Sequence, residues 1–130
     1  MKPEPTMKFK VTWSKAKKFE EGNLDLSVQG IYLIGYRDTA TDKRHPVYVG
    51  QGDVGTRLAD HYRNNTRIKK RVNQPGRVAF YRYAEAENED DRLDVELALY
   101  RKHGGQILCN EVEPPGSGRN ENVEVEEFFK

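Results

Sequence analysis

A chain of 130 residues suits one domain with one modest core. Only 35% of it is hydrophobic and 33% is charged, no apolar run is long enough to span a bilayer, and the start, MKPEPTMKFKVTW, lacks the apolar centre of a signal peptide. The net charge of +1 hides an asymmetry: eight Lys or Arg and one acid lie between Arg57 and Arg82, then seven acids and one Arg between Glu85 and Glu96, with an acidic tail beyond Glu111.

In chain order, residues 1–7 carry two prolines and read as a disordered leader. Lys8 to Trp13 alternates Phe9, Val11 and Trp13 with polar residues, as a strand does. Ser14 is placed to cap a short helix through Phe19, ended by Gly22-Asn23, and Leu24, Leu26 and Val28 then alternate. Ile31 to Tyr36 is an apolar strand, the polar segment Arg37 to Pro46 a turn, and Val47-Tyr48-Val49-Gly50 a second strand, together a hairpin. Asp53 predicts the N-cap of a helix over 54–64, whose stripe is Val54, Leu58 and Tyr62. Arg57 and His61 stand one turn apart on it, about 100° from that stripe.

A basic helical segment, Thr66 to Asn73, is broken by Gln74-Pro75-Gly76, and Val78 to Tyr83 reads as a third strand. Asn88 or Glu89 opens the clearest helix, running to about His103, acidic at its start and basic at its end as the macrodipole favours. Its stripe is Leu93, Leu97 and Tyr100, with Glu96 about 60° from the stripe's centre, and Gly104-Gly105 ends it. Ile107 to Asn110 reads as extended and Pro114 to Gly118 as a loop; Val123 to Phe129 is undecided between strand and helix. A lone Cys109 permits no internal disulfide, fits a reducing cytoplasmic setting, and reads as a small buried side chain.

Gly30-Ile31-Tyr32 and Tyr48-Val49-Gly50 on paired strands, followed by Arg57 and His61, resemble the GIY-YIG nuclease family, with Val49 in place of the name-giving Ile. The remaining pieces follow in the family's order: Glu96 on the helix after the third strand and Asn110 shortly beyond, so that the set spans about 80 of 130 residues. The resemblance implies an α+β domain over 30–110, a small mainly antiparallel three-stranded sheet flanked by helices. It leaves 8–29 as an amino-terminal and 111–130 as an acidic carboxy-terminal extension. It also implies a divalent-metal-dependent endonuclease, with DNA as the leading substrate expectation. Two departures stand out. The connection between the two tripeptides is longer than the common one, and Gln51 stands where many relatives have Lys, so a lysine base is lacking.

Phosphodiester hydrolysis explains the residue types. The attacking water must lose a proton, and charge gathers on the phosphate and on the leaving oxygen. The resemblance makes Glu96 the one carboxylate that holds Mg²⁺ or Mn²⁺, a hard cation keeping most of its waters. Arg57 offers a fork to the non-bridging oxygens, Tyr32 or Tyr48 handles the water, His61 carries a proton or donates to phosphate, and Asn110 positions a neighbour. Gln51, Arg63, Arg67, Lys69, Lys70 and Arg71 would contact the nucleic-acid backbone. His45 and His103 receive no role. Taken singly, these residues also read blandly: tyrosines packed across a hairpin, Arg57 paired with Asp53 or Asp60, an exposed Glu96. The alternatives to an enzyme are a catalytically silent nucleic-acid-binding module of the same fold and a protein-interaction domain using the acidic carboxy-terminal part. A separate DNA-binding domain does not fit in the chain, so specificity would fall to the extensions, a homodimer or a partner protein.

Overall fold

The run from Gly30 to Tyr36 is buried at every position because its strand lies inside a sheet covered on both faces. The structure, a computed structural model, describes residues 6–104, 109, 110, 112–119 and 122–130. Its elements are β1 (Thr6–Trp13), β2 (Lys17–Lys18), a 3-10 turn (Glu21–Asn23), β3 (Gln29–Asp38), β4 (Arg44–Asp53), α1 (Val54–Asn64), α2 (Thr66–Val72), β5 (Arg77–Glu85), α3 (Glu89–Lys102) and β6 (Asn122–Phe129). Four strands form an antiparallel sheet in the order β2-β5-β3-β4, and β1 pairs in parallel with β6 as a separate ribbon.

Alternate residues of β3 serve different layers. Tyr32, Ile34 and Tyr36 meet Val54 and Leu58 of α1, Ile68 and Val72 of α2, and Tyr81 of β5. Ile31 and Leu33 meet Val95 and Leu99 of α3, Phe80 of β5, and Val11 and Trp13 of β1. Burying each large apolar side chain stabilises the fold by about 1.5–3 kcal/mol, so the ribbon that brings in Trp13, fully buried, is integral to the second layer. Trp13 also donates its indole N–H to Glu127 of β6 at 2.9 Å, and Lys102 and His103 at the end of α3 hold the same carboxylate at 3.0 Å.

Two local signals fall where expected, Asp53 accepting from Thr56 N–H and Asn88 from Asp91 N–H, each starting a helix; Asn65, accepting from Ile68 N–H, starts α2 in the same way. Several expectations are corrected. Thr6 and Met7, counted with the leader, belong to β1; residues 1–5 lie outside the described set. Ser14 caps no helix. Its hydroxyl accepts from Tyr83 N–H at 3.0 Å, and the following residues add β2, a fourth strand, to the edge of β5. Leu24 to Val28 forms no strand, although Leu24 reaches the core. Gly105, Ile107 and Leu108 lie outside the described residues, while the undecided 123–129 segment is strand.

The buried face of α3 is Val95 and Leu99, not Leu93, Leu97 and Tyr100. The helix is sandwiched: Val95 and Leu99 face the sheet, while Asp94 on another side accepts from Ser117 N–H and hydroxyl and from Arg119. Burial there is set by two layers, so the apolar stripe alone could not reveal it. Glu96 then stands about 100° of rotation from Val95, at the margin of the sheet-facing side.

Candidate active site

β4 is the free edge of the four-stranded sheet, and the candidate residues gather around it. Tyr32 on β3 pairs opposite Gly50 on β4. Its ring lies across that glycine so closely that a Cβ on Gly50 would run into the phenol carbon and hydroxyl. The glycine is therefore needed for space, at a residue with ordinary backbone torsions. Tyr48, two residues earlier, shares the face of Tyr32; their rings stack at 6.1 Å and 14°.

α1 supplies the next partners. His61 places Nε2 2.8 Å from Tyr32 Oη, and its ring lies 4.3 Å from that of Tyr48. Asn65 fixes the tautomer. Its Oδ1 accepts from Ile68 N–H, so its amide nitrogen faces His61 Nδ1, at 3.2 Å, and donates to it. Burial holds the imidazole below its usual range, with Asp60 opposing and Arg57 adding to the effect, so the ring is neutral at neutral pH. A neutral ring that accepts at Nδ1 carries its proton on Nε2 and donates it to Tyr32 Oη. The Tyr32 hydroxyl, hydrogen-bonded to Tyr48 as well, keeps its own proton. Burial, reinforced by Tyr48, pushes Tyr32 well above the usual phenol range; Arg57 opposes this without overcoming it, and Glu96 adds to it.

Arg57 lies one turn before His61 and is exposed. Among the described residues it makes no ion pair, with Asp53, Asp60 or any other carboxylate. Its side chain crosses Gly52, whose φ of +124° belongs to glycine; a Cβ there would sit 3.3 Å from Arg57 Nε. Glu96 approaches from α3. It too lacks an ion pair among the described residues, and burial lifts its carboxyl to about 7, with Arg57 the opposing influence. The charges of Arg57 and Glu96 both act on Tyr32, so the five side chains share one electrostatic environment.

Asn110 closes the edge. Its Oδ1 accepts from Val49 N–H at 3.3 Å and its Nδ2 donates to Val49 C=O at 2.8 Å, while Cys109 N–H reaches Val47 C=O. The Asn110 amide thus satisfies both backbone groups of Val49 as a neighbouring strand would, and the Cys109 N–H does the same on the other side of Tyr48. Cys109 is buried and free.

The expected backbone-contacting residues divide. Arg63, Arg67, Lys70 and Arg71 are exposed along α1 and α2, on the Tyr32 side of the sheet. Arg63 is partly neutralised by Glu21 at 2.7 Å, and Lys69 lies 5.1 Å over the Tyr62 ring. Gln51 points to the other face, where its Oε1 accepts from Arg92 Nε at 3.1 Å. Asn65 and Arg92 were not among the expected site residues. The signal for Asn65 was its place as cap before Thr66; Arg92 had none, since its partner Gln51 is 41 residues away.

A divalent cation fits this donor set in one respect. Glu96 is a desolvated carboxylate without a counterion among the described residues, and a hard cation that keeps most of its waters needs few protein ligands. No group of three or more His, Cys, Asp or Glu side chains suited to a metal occurs among the described residues. No described helix is long and apolar enough to cross a membrane. Compared with protein-family models, curated proteins and solved structures, the chain matches none.

Proposed function

We propose that the chain is a divalent-metal-dependent endonuclease of the GIY-YIG type, hydrolysing phosphodiester bonds, with DNA the first substrate to try. The observation that carries this reading is the Tyr32–His61 hydrogen bond at 2.8 Å, with Tyr48 packed on the same imidazole and the charges of Arg57 and Glu96 acting on the same phenol.

In the proposed reaction the oxygen of water attacks phosphorus, the bond to the 3′ oxygen breaks, the water's proton leaves to solvent and the departing 3′ oxygen takes up a proton from solvent. Tyr48 is half-buried where Tyr32 is 2% exposed, so Tyr48 is assigned to hold the attacking water. Tyr32 is assigned to hold Tyr48, being pinned by His61 and too reluctant an acid to act as base itself. Both nitrogens of His61 are engaged, which makes it a positioning residue rather than a phosphate donor. Arg57, exposed and without a carboxylate partner among the described residues, takes the non-bridging oxygens. Glu96 would hold Mg²⁺ or Mn²⁺, losing its proton as it does so. When bound, such a cation neutralises charge developing on the phosphate and the leaving oxygen. Asn110 holds the β4 edge that carries Tyr48.

The raised affinity of Tyr32 for its proton favours a second reading to the extent that chemistry demands a phenolate there: a silent nucleic-acid-binding module. Incubating the chain with single- and double-stranded DNA and RNA, with and without Mg²⁺ or Mn²⁺, decides between them. Cation-dependent cleavage lost in Glu96→Gln supports the enzyme. Steeply salt-dependent binding without cleavage under any condition supports the silent module.

A further inference from the structure

Arg82 on β5 pairs opposite Leu33 on β3 and shares its face of the sheet with Phe80. It is only 7% exposed, and a guanidinium so far from water ordinarily faces a carboxylate. Among the described residues this one does not. Its Nη1 donates to Ser14 C=O at 3.0 Å, and around it are two rings and a second cation. The guanidinium carbon lies 5.0 Å from the centroid of Phe129 and 6.0 Å from that of Phe80, while Arg44 stands 5.9 Å over Phe80. With His103, these side chains wall a cavity of about 330 Å³ floored by Leu33 and Pro46. Burial, and then the charge of Arg44, weaken the hold of Arg82 on its proton, as expected for cations that lack an anion. The carboxylate behind His103, Glu127, is already engaged by Trp13, Lys102 and His103.

An adjoining hollow shares Arg44 and Phe80 and adds Lys17, Lys18 and Arg37. Phe129 is 58% exposed, so its ring is accessible. Cations that neutralise successive phosphates beside aromatic faces that accept bases are the physical ingredients of single-strand binding. We propose that the cavity between Arg44, Phe80, Arg82 and Phe129 binds an unpaired nucleotide of a nucleic-acid strand. The base stacks on Phe129, the phosphate lies against Arg44 and Arg82, and a neighbouring phosphate lies against Lys18, which pairs opposite Phe80. The assignment rests on the nucleic-acid reading above and specifies its substrate: a strand with an unpaired segment, since a paired base cannot reach Phe129 without being flipped out. His103 lies seven residues beyond Glu96, about 10 Å along the helix.

Calorimetric titration of the full chain with tetrathymidylate and tetrauridylate, and separately with inorganic phosphate, tests this site and distinguishes DNA from RNA. At least one tetranucleotide should bind. Phe129→Ala should weaken it about 5- to 150-fold, the span of one lost stacking contact, and Arg44→Gln, which removes a phosphate contact, should weaken it too. Arg44→Gln should also flatten the dependence of log affinity on log salt by about 0.7. Both side chains are exposed, so thermal unfolding should not change. Absent tetranucleotide binding, unchanged affinity in both variants, or inorganic phosphate binding as tightly as the tetranucleotide would overturn the proposal. Cleavage of a longer substrate without tetranucleotide binding removes this site and leaves the nuclease; tetranucleotide binding by a chain that never cleaves does the reverse.

Discussion

At the residue scale, two tyrosines on adjacent strands differ in burial and in partners. Tyr32 is sealed under α1 with its hydroxyl fixed by His61, whereas Tyr48 reaches solvent. Tyr48→Phe should therefore lower the single-turnover cleavage rate at least about a hundredfold, the scale of a lost proton-handling group. Tyr32→Phe should lower the rate in the same direction and also destabilise the fold by about 1–3 kcal/mol, because it leaves the His61 N–H without its acceptor. Rates equal to the parent's in both variants would reduce the pair to packing residues. Glu96 carries a pH signature that can be read without substrate. Its folded pKa, about 7, lies above the ordinary 4.5, so the native state binds that proton more tightly than the unfolded chain. Stability is then lost as pH rises from 4.5 through 7. Glu96→Gln mimics the protonated form. In chelator its melting temperature should match the parent's near pH 4.5 and exceed it at pH 8, while cleavage with Mg²⁺ disappears. Equal melting temperatures at pH 8 would mean that the carboxylate is not desolvated.

At the element scale, β4 is an edge strand whose outward backbone groups need partners, and Asn110 provides them at Val49. Asn110→Ala should expose that pair, cost about 1–3 kcal/mol and speed hydrogen exchange at the Val49 amide. Asn110→Asp keeps an acceptor for Val49 N–H but loses the donor to Val49 C=O, so it should fall between. Protection of Val49 equal to the parent's in Asn110→Ala would place the edge under other control. The elements legible in the sequence were those whose signals are local. Asp53 and Asn88 sit next to the helices they cap, and Ile31–Tyr36 and Val47–Gly50 are separated only by a polar turn. What failed depended on distant partners. Ser14 serves Tyr83, 69 residues away, and β2 exists because β5 is there to pair with it. β6 was undecidable because its strand partner among the described residues, β1, begins at Thr6. The stripe of α3 misled because Asp94, polar in the sequence, is buried by Ser117 and Arg119.

At the scale of the whole molecule, the sheet separates two cationic surfaces that the sequence presented unequally. Lys69, Lys70 and Arg71 are consecutive and were visible as a block; they lie on α2, over the Tyr32 face. Arg44 and Arg82 are far apart in the chain and meet only because β4 and β5 flank β3, on the Leu33 face, with Phe129 brought in by β6. The candidate site was legible to the extent that order along the chain sufficed: Tyr32, Tyr48, Arg57, His61 and Glu96 come together around β4. The part that Asn65 plays was not legible, because a cap and a tautomer clamp look alike in sequence. Opposite faces imply separable binding. If the α2 block tracks duplex phosphates, replacing Lys69, Lys70 and Arg71 together by Gln should flatten the slope of log affinity against log salt by up to about 0.9 per lost contact on duplex DNA. For three contacts the change reaches about 2.7. The same triple variant should bind a tetranucleotide as the parent does, since its three side chains lie across the sheet from Arg44 and Phe129. Salt titrations of the parent, this variant and Arg44→Gln, each on duplex and tetranucleotide, measure both effects. An unchanged duplex slope would make the α2 charges a solvated face only, whereas equal losses on both ligands would mean that one continuous surface serves both.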